Sequence, residues 1–181
     1  MFGQQTHALG TFTGTGQIIN VEVGFIPRFL AAFNYNDAGA VYPLNLWFQG
    51  MPAASACKIT TATARITTLG FSEFAGEAPN KTLSQTATMS AAATTFTASA
   101  ATIITELKAG DVIRVGAGTA MEEFTVVSVS GATVTVNVAA TVAKSAGSPI
   151  VRGTGRQPGF VIGADTDMNV SGEVGYYLAL R

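Results

Sequence analysis

The chain has 181 residues, enough for one ordinary domain or two small ones. Ten Lys and Arg against eleven Asp and Glu leave a net charge of −1, and charged residues make up only 12%, about half of the roughly 25% usual in globular proteins. No basic block is present to line a nucleic-acid groove, and no apolar stretch approaches the ~18 residues a membrane helix needs, so neither partner is expected.

The first segment, Met1-Phe2-Gly3-Gln4-Gln5-Thr6-His7, has neither the basic region nor the apolar core of a secretion signal, and synthesis in a cytoplasm is expected. Gly14-Thr15-Gly16 opens a strand over Gln17 to Val23, with Ile19, Val21 and Val23 on one face and Ile18, Asn20 and Glu22 on the other. Gly24-Phe25-Ile26-Pro27 turns the chain, because Pro27 fixes its own φ and drives Ile26 extended. Arg28 to Tyr35 reads as a second strand, closed by Asn36-Asp37-Ala38-Gly39. Tyr42 to Gln49 is a third, with Leu44, Leu46 and Phe48 opposite Asn45, Trp47 and Gln49. Lys58 to Leu69, rich in Thr and Ile, reads as a strand that closes at Gly70.

The character changes near Ser84, where Ala, Thr and Ser dominate to Ala101. Thr94 to Ala98 is expected as a strand around Phe96, and Thr102 to Lys108 as a helical turn that delivers Leu107 to a core. Val112 to Val115, Glu122 to Val129 and Thr133 to Val138 are cleaner strands, the last two joined at Ser130-Gly131 as a hairpin. Pro149-Ile150-Val151-Arg152 is expected to return beside the first strand, so that residues near 86 to 152 form one small barrel or folded sheet. Two short alternating runs within Gly159 to Arg181, the second reaching the last residue, then read as a final hairpin about a polar, Gly- and Asn-bearing connection, which ties the end of the chain into a sheet. No segment carries a sustained 3.6-residue apolar rhythm. The expected class is all-β: a β-sandwich from 1–83 and 153–181, split by an inserted small β-barrel-like module over 84–152.

Candidate chemistry is sparse. His7 and Cys57 are a conceivable base and nucleophile, but no third group orients them, and one His with one Cys cannot complete a four-ligand zinc site. A lone Cys also permits no disulfide within the chain. Asp165-Thr166-Asp167-Met168-Asn169 begins like a calcium loop, yet Val170 stands where the sharp turn requires Gly, and turn chemistry explains the same residues. Gly14-x-Gly16 and Gly116-x-Gly118 lack the third Gly of a dinucleotide loop. Glu122 and Glu123 are adjacent in a strand and point to opposite faces. Trp47 with Tyr42 and Tyr35 offers a sugar-stacking surface on paper, but a single Trp in a β-protein is more simply a core or interface anchor. No catalytic, cofactor-binding or metal residue is assigned, and the chain is not expected to be an enzyme. A surface so poor in charge, and built of Ala, Thr, Ser and Gly, suits a subunit buried against neighbours.

The run Gly14-x-Gly16-Gln17-x-Ile19-x-Val21-x-Val23-Gly24-Phe25-x-Pro27, followed by an apolar strand, resembles a β-sandwich domain common in structural proteins of tailed bacteriophages. The ending of that domain is similar to Gly159-Phe160-Val161-Ile162-Gly163 with Val170-x-Gly172-Glu173 and Tyr176-Tyr177-Leu178-Ala179. The likeness covers about residues 12–50 and 159–181. Leu107 to Val115 and Phe124 to Val129 also look like small barrels of phage head and tail proteins. The resemblance implies a virion structural protein. The lack of a rod, heptads or collagen-like repeat favours a capsid decoration (cement) protein on the outer head surface, bound to the major capsid protein and to copies of itself as a homotrimer. The other reading is a tail-fibre or receptor-binding module that contacts host glycan.

Overall fold

The computed structural model describes residues 6–35, 43–60 and 63–181. The expected turn at Asn36-Asp37-Ala38-Gly39, the residue Tyr42 and the Met1–Gln5 segment lie outside the described residues. The strands in chain order are β1 (His7–Thr13), β2 (Ile19–Glu22), β3 (Phe29–Asn34), β4 (Leu44–Phe48), β5 (Ser55–Ile59), β6 (Thr63–Phe74), β7 (Lys81–Met89), β8 (Thr95–Ala98), β9 (Val112–Val115), β10 (Glu122–Ser130), β11 (Thr133–Val136), β12 (Lys144–Arg152), β13 (Gly159–Ile162) and β14 (Val174–Leu180). A single helical turn, α1 (Ile103–Glu106), precedes β9. The protein is all-β.

Two compact units result, one from 1–76 with 157–181 and one from 77–156. The boundaries expected at 84 and 152 therefore fall at 77 and 156. The physical reason is pairing: β7 begins at Lys81 opposite Arg152 of β12, so both ends of the Ala/Thr-rich stretch are claimed by the second unit.

The first unit is an eight-stranded sheet in the order β1-β14-β3-β4-β5-β6-β13-β2. All its pairings are antiparallel, and β14 lies between β1 and β3, with Gly10 opposite Tyr177 and Ala32 opposite Tyr177 on the other side. The sheet doubles over on itself. Phe160 of β13 and Tyr177 of β14 have four strands between them along the sheet, yet their rings meet edge-on at 5.2 Å. Strand β6 makes the fold-over: Thr63 to Ile66 pair with β5, whereas Phe71 to Phe74 pair with β13. Between the two halves Leu69 takes φ +58°, and Gly70 passes so close to β5 that a Cβ there would lie 2.4 Å from the Ser55 carbonyl carbon. A bulge of this kind is how a strand changes layers. The strand expected from Lys58 to Leu69 is thus two strands, and Gly70 is a crossing point rather than an end. The enclosed core joins Phe12, Leu30, Trp47, Phe71, Phe160, Ile162 and Ala179.

The expected final hairpin is also corrected. β13 pairs with β2 and β6, while β14 pairs with β1 and β3. The connection between them is held across the unit instead of turning in the sheet. Gly14 N–H donates to the Glu173 carbonyl, Gly172 N–H donates to the Gly14 carbonyl, and a Cβ on Gly14 would lie 2.0 Å from the Val170 oxygen. That close approach explains the first glycine of Gly14-x-Gly16.

The second unit is a closed six-stranded barrel, β10-β11-β8-β7-β12-β9. Its interior is filled by Phe96, Ile113, Val115, Phe124, Val126, Val134, Val136 and Ile150, joined by Ile103 of α1 and by Leu107 just after it. Phe124 and Val126 point in and Val127 out, as alternation predicts, and Gly131 with φ +55° starts the two-residue loop between Ser130 and Thr133. Where the module's ends meet, Glu77 and Arg156 exchange backbone hydrogen bonds. Arg152, almost wholly buried, binds the Glu77 carboxylate, the Glu106 carbonyl at 2.8 Å and the Thr154 carbonyl at 2.9 Å. Arg156 binds Asp111 at 2.7 Å. Neighbouring chain ends are what an insertion into a host domain requires.

Candidate functional site

Three groups of residues were candidates for function, and they separate by what their neighbours let them do. The first is the Asp165–Asn169 segment. Asp165 and Asn169 are buried, whereas Thr166 is exposed and the Asp167 side chain is half-exposed. Asp165 Oδ1 accepts the N–H groups of Asp167 and Met168 at 3.1 and 3.0 Å, which is the turn chemistry of an Asx residue. The cationic place beside the two aspartates is taken by Lys58, whose Nζ is 3.5 Å from Asp165 Oδ1 and bonds directly to Asp167. Burial by itself lowers the pKa of the Lys58 ammonium. The hydrogen bond to Asp167 and the charges of both aspartates outweigh it, so the group stays charged above its ordinary range. Asn169 accepts from Thr15 N–H and donates to the Gln17 and Gly163 carbonyls, and Asn34 donates to the Asp167 carbonyl and to Glu173. Among the described residues no group of three His, Cys, Asp or Glu is placed to hold a metal ion. The segment is a latch that fixes a long loop.

The second group comprises the reactive side chains. His7 begins β1 and Cys57 lies in β5, with β14, β3 and β4 between them in the sheet, so the structure does not bring them together. Glu122 and Glu123 do diverge. Glu122 accepts from the buried Lys144 Nζ at 2.6 Å, from Thr141 N–H and Oγ1, and from Val142 N–H, whereas Glu123 pairs across from Arg114. The Lys144 hydrogen bond, followed by that of the Thr141 backbone, lowers the Glu122 carboxyl to about 2. This is a structural ion pair. Glu77 is likewise held below its ordinary value: burial raises it, and the hydrogen bonds and charges of Arg152 and Lys81 more than reverse that. Trp47 is 2% exposed, so its ring anchors the core and cannot stack on a sugar, while Tyr35 is exposed.

The third group was not singled out as a site from the sequence. On β3 the buried residues are Leu30, Ala32 and Asn34, which leaves Phe29, Ala31 and Phe33 on the other face. On β4 the buried pair is Asn45 and Trp47, so Leu44, Leu46 and Phe48 face outward with them. The inward Asn45 amide and the Trp47 indole N–H have no hydrogen-bond partner among the described residues. The registers place Leu9 opposite Leu178, Leu178 opposite Ala31, Ala31 opposite Leu46, and Leu46 opposite Cys57. The neighbouring row is Thr11, Tyr176, Phe33, Leu44 and Ile59. Five adjacent strands thus present an outer face without acidic or lysine and arginine side chains, polar at His7, Thr11 and Thr13 of β1 and apolar or aromatic across β14, β3 and β4. Leu9 is 72% exposed, Phe48 50% and Tyr176 41%. A shallow groove in it is lined by Leu9, Ala31, Phe33, Leu44, Tyr176 and Leu178, among others. An antiparallel sheet usually shows water one polar face, but this one is apolar on both. The signal was present in the sequence: Phe29-Leu30-Ala31-Ala32-Phe33 and Tyr176-Tyr177-Leu178-Ala179-Leu180 are continuous apolar runs, the pattern of strands covered on two sides.

Comparison with known proteins finds no matching family model, no matching curated protein and no matching solved structure. No described helix is long and apolar enough to cross a membrane.

Proposed function

We propose that this protein is a structural subunit that works by association, and specifically a capsid decoration protein that reinforces the head of a tailed phage. The observation that carries the reading is the uncharged outer face of β1, β14, β3, β4 and β5. An apolar patch of that extent on a folded domain marks a surface that another macromolecule covers. Low charge over the whole chain supports it, because obligate contacts deplete charged side chains at their centres. The sequence likeness to phage sandwich domains, at both ends of the first unit, narrows the class to virion proteins. On this reading the chain performs no catalysis and holds no cofactor or metal. Its partners are the major capsid protein and further copies of itself, arranged as a trimer on the threefold positions that an icosahedral shell offers. Each copy that binds only the assembled shell stabilises it by mass action.

The test uses phage particles made with and without the protein. Labelled electron microscopy should place it over the head surface, and particles that lack it should remain infectious yet release their genome at a lower temperature. Label confined to the tail tip, with heads of unchanged thermal resistance, would transfer the protein to the fibre class.

A further inference from the structure

We infer that the outer face of β1, β14, β3, β4 and β5 is covered by the same face of further copies of this chain. The inference rests on the reading of the protein as an associating subunit, and it adds the surface and its occupant.

Three observations select a copy of the chain over an unlike partner. The first is charge. A patch that meets itself must tolerate its own electrostatic pattern, because each charge would face a like charge across the contact. The rows across this face contain no Asp, Glu, Lys or Arg. The nearest cations stand at its rim: Arg65 of β6 lies opposite Cys57 beyond the β5 side, and Arg28 and Arg181 stand just outside β3 and β14 at one end, where polar groups belong. With a net charge of −1, whole copies repel one another little.

The second observation is extent. Five strands spaced ~4.8 Å apart and about six residues long give a flat footprint of roughly 24 by 20 Å, or about 500 Å² before side-chain relief is counted. Two such footprints reach the ~1,000 Å² that a specific interface needs. Seven of the thirteen exposed large apolar side chains among the described residues lie on it or at its ends: Leu9, Phe33, Tyr35, Phe48, Ile59, Tyr176 and Leu180.

The third is order. Phe33 stacks on Tyr176 at 5.3 Å with planes 17° apart, and Phe29 packs against Phe48 at 5.2 Å. Rings already held by each other lose little rotamer freedom on association, and aromatic anchors at the centre of a contact carry most of its energy. Cys57 lies in the same face, opposite Leu46, and supplies a native probe of whether the face is covered.

The experiment compares the full chain with Phe33→Lys, Tyr176→Lys and a control, Val127→Lys, on the exposed barrel exterior. Circular dichroism and melting establish that each variant is folded. Sedimentation velocity and native mass spectrometry read the assembly state, and maleimide labelling reads Cys57. The expected result is an oligomer of the wild type and the control with a slow-reacting thiol. Each face variant should dissociate at about thirtyfold higher concentration and label faster. A wild type that is monomeric throughout, with Cys57 as reactive as in the variants, overturns the inference. So does an oligomer that both face variants leave intact. A monomer whose Cys57 is protected only on phage heads overturns self-packing and retains the decoration reading. An oligomer of the expected kind found only at the tail tip does the reverse.

Discussion

Glu122 shows how the chain uses the few ions it has. Its carboxylate gathers Lys144, Thr141 and Val142 at one edge of the barrel, and its pKa of about 2 lies below the ordinary 4.5. A carboxyl whose pKa is depressed by folding contributes stability above the unfolded value, and that contribution is lost as pH falls through the folded one. Glu77, also depressed, acts in the same direction. Barrel stability should therefore decline between about pH 4.5 and pH 2. In Glu122→Gln the decline over that window should be shallower, with lower stability at neutral pH because the buried Lys144 loses its partner. Thermal melts of both proteins across the window test this; parallel pH profiles would remove Glu122 from the account. Lys58 has the opposite sense. Its pKa is raised, so its pairing with Asp165 and Asp167 persists from neutral pH up to the lysine range and weakens above it. At the calcium-like spacing of Asp165 and Asp167, a lysine from β5, more than a hundred residues away in sequence, supplies the positive charge.

Among the elements, β6 decides the shape of the first unit. Gly70→Val should destabilise the protein by about 3 kcal/mol or more, since a side chain would have to displace the Ser55 backbone at the crossing point. Denaturant titration would show this as a lower midpoint, and a variant as stable as the parent would mean that the crossing is pliable. This element also marks the limit of what alternation reveals. β10 and β11 were legible because apolar and polar residues alternate cleanly about a Gly-containing turn. β2 was legible for the same reason. β6 was not, because Thr and Ile suit a strand on either side of Gly70, and periodicity carries no mark for a change of layer. β7 escaped because its buried residues include Ala87 beside Thr and Ser, which removes the contrast between faces. In β4 both faces are apolar enough that the pattern could not tell inside from outside, and the tryptophan and asparagine went in together. The outer face was missed as a site for a related reason. It is assembled from β1, β3, β4, β5 and β14, which only the pairing of distant strands brings side by side. The last two strands read as a hairpin because they are neighbours in sequence, whereas hydrogen bonds from Gly14 to Glu173 hold their connection elsewhere.

At the scale of the molecule, the two units are separately built. Each has its own core and its own sheet. Replacement of 77–156 by a short Gly/Ser linker should leave a first unit that melts cooperatively, because Gly76 and Gln157 flank an antiparallel bridge that already brings the module's ends together. Loss of the cooperative transition in that variant would show that the barrel is needed for the host to fold.

The placement of β14 between β1 and β3 has a consequence in time. A ribosome delivers β1 through β6 first, then the roughly eighty residues of the barrel, and only afterwards β13 and β14. At ~5–20 residues per second, the early strands wait several seconds with no partner on one side and with Phe29 to Phe33 uncovered, while the barrel has all its strands in one stretch and can close first. The barrel is thus the early folder and the sandwich the late one. The nascent chain is most open to aggregation or chaperone capture during the interval before β14 emerges.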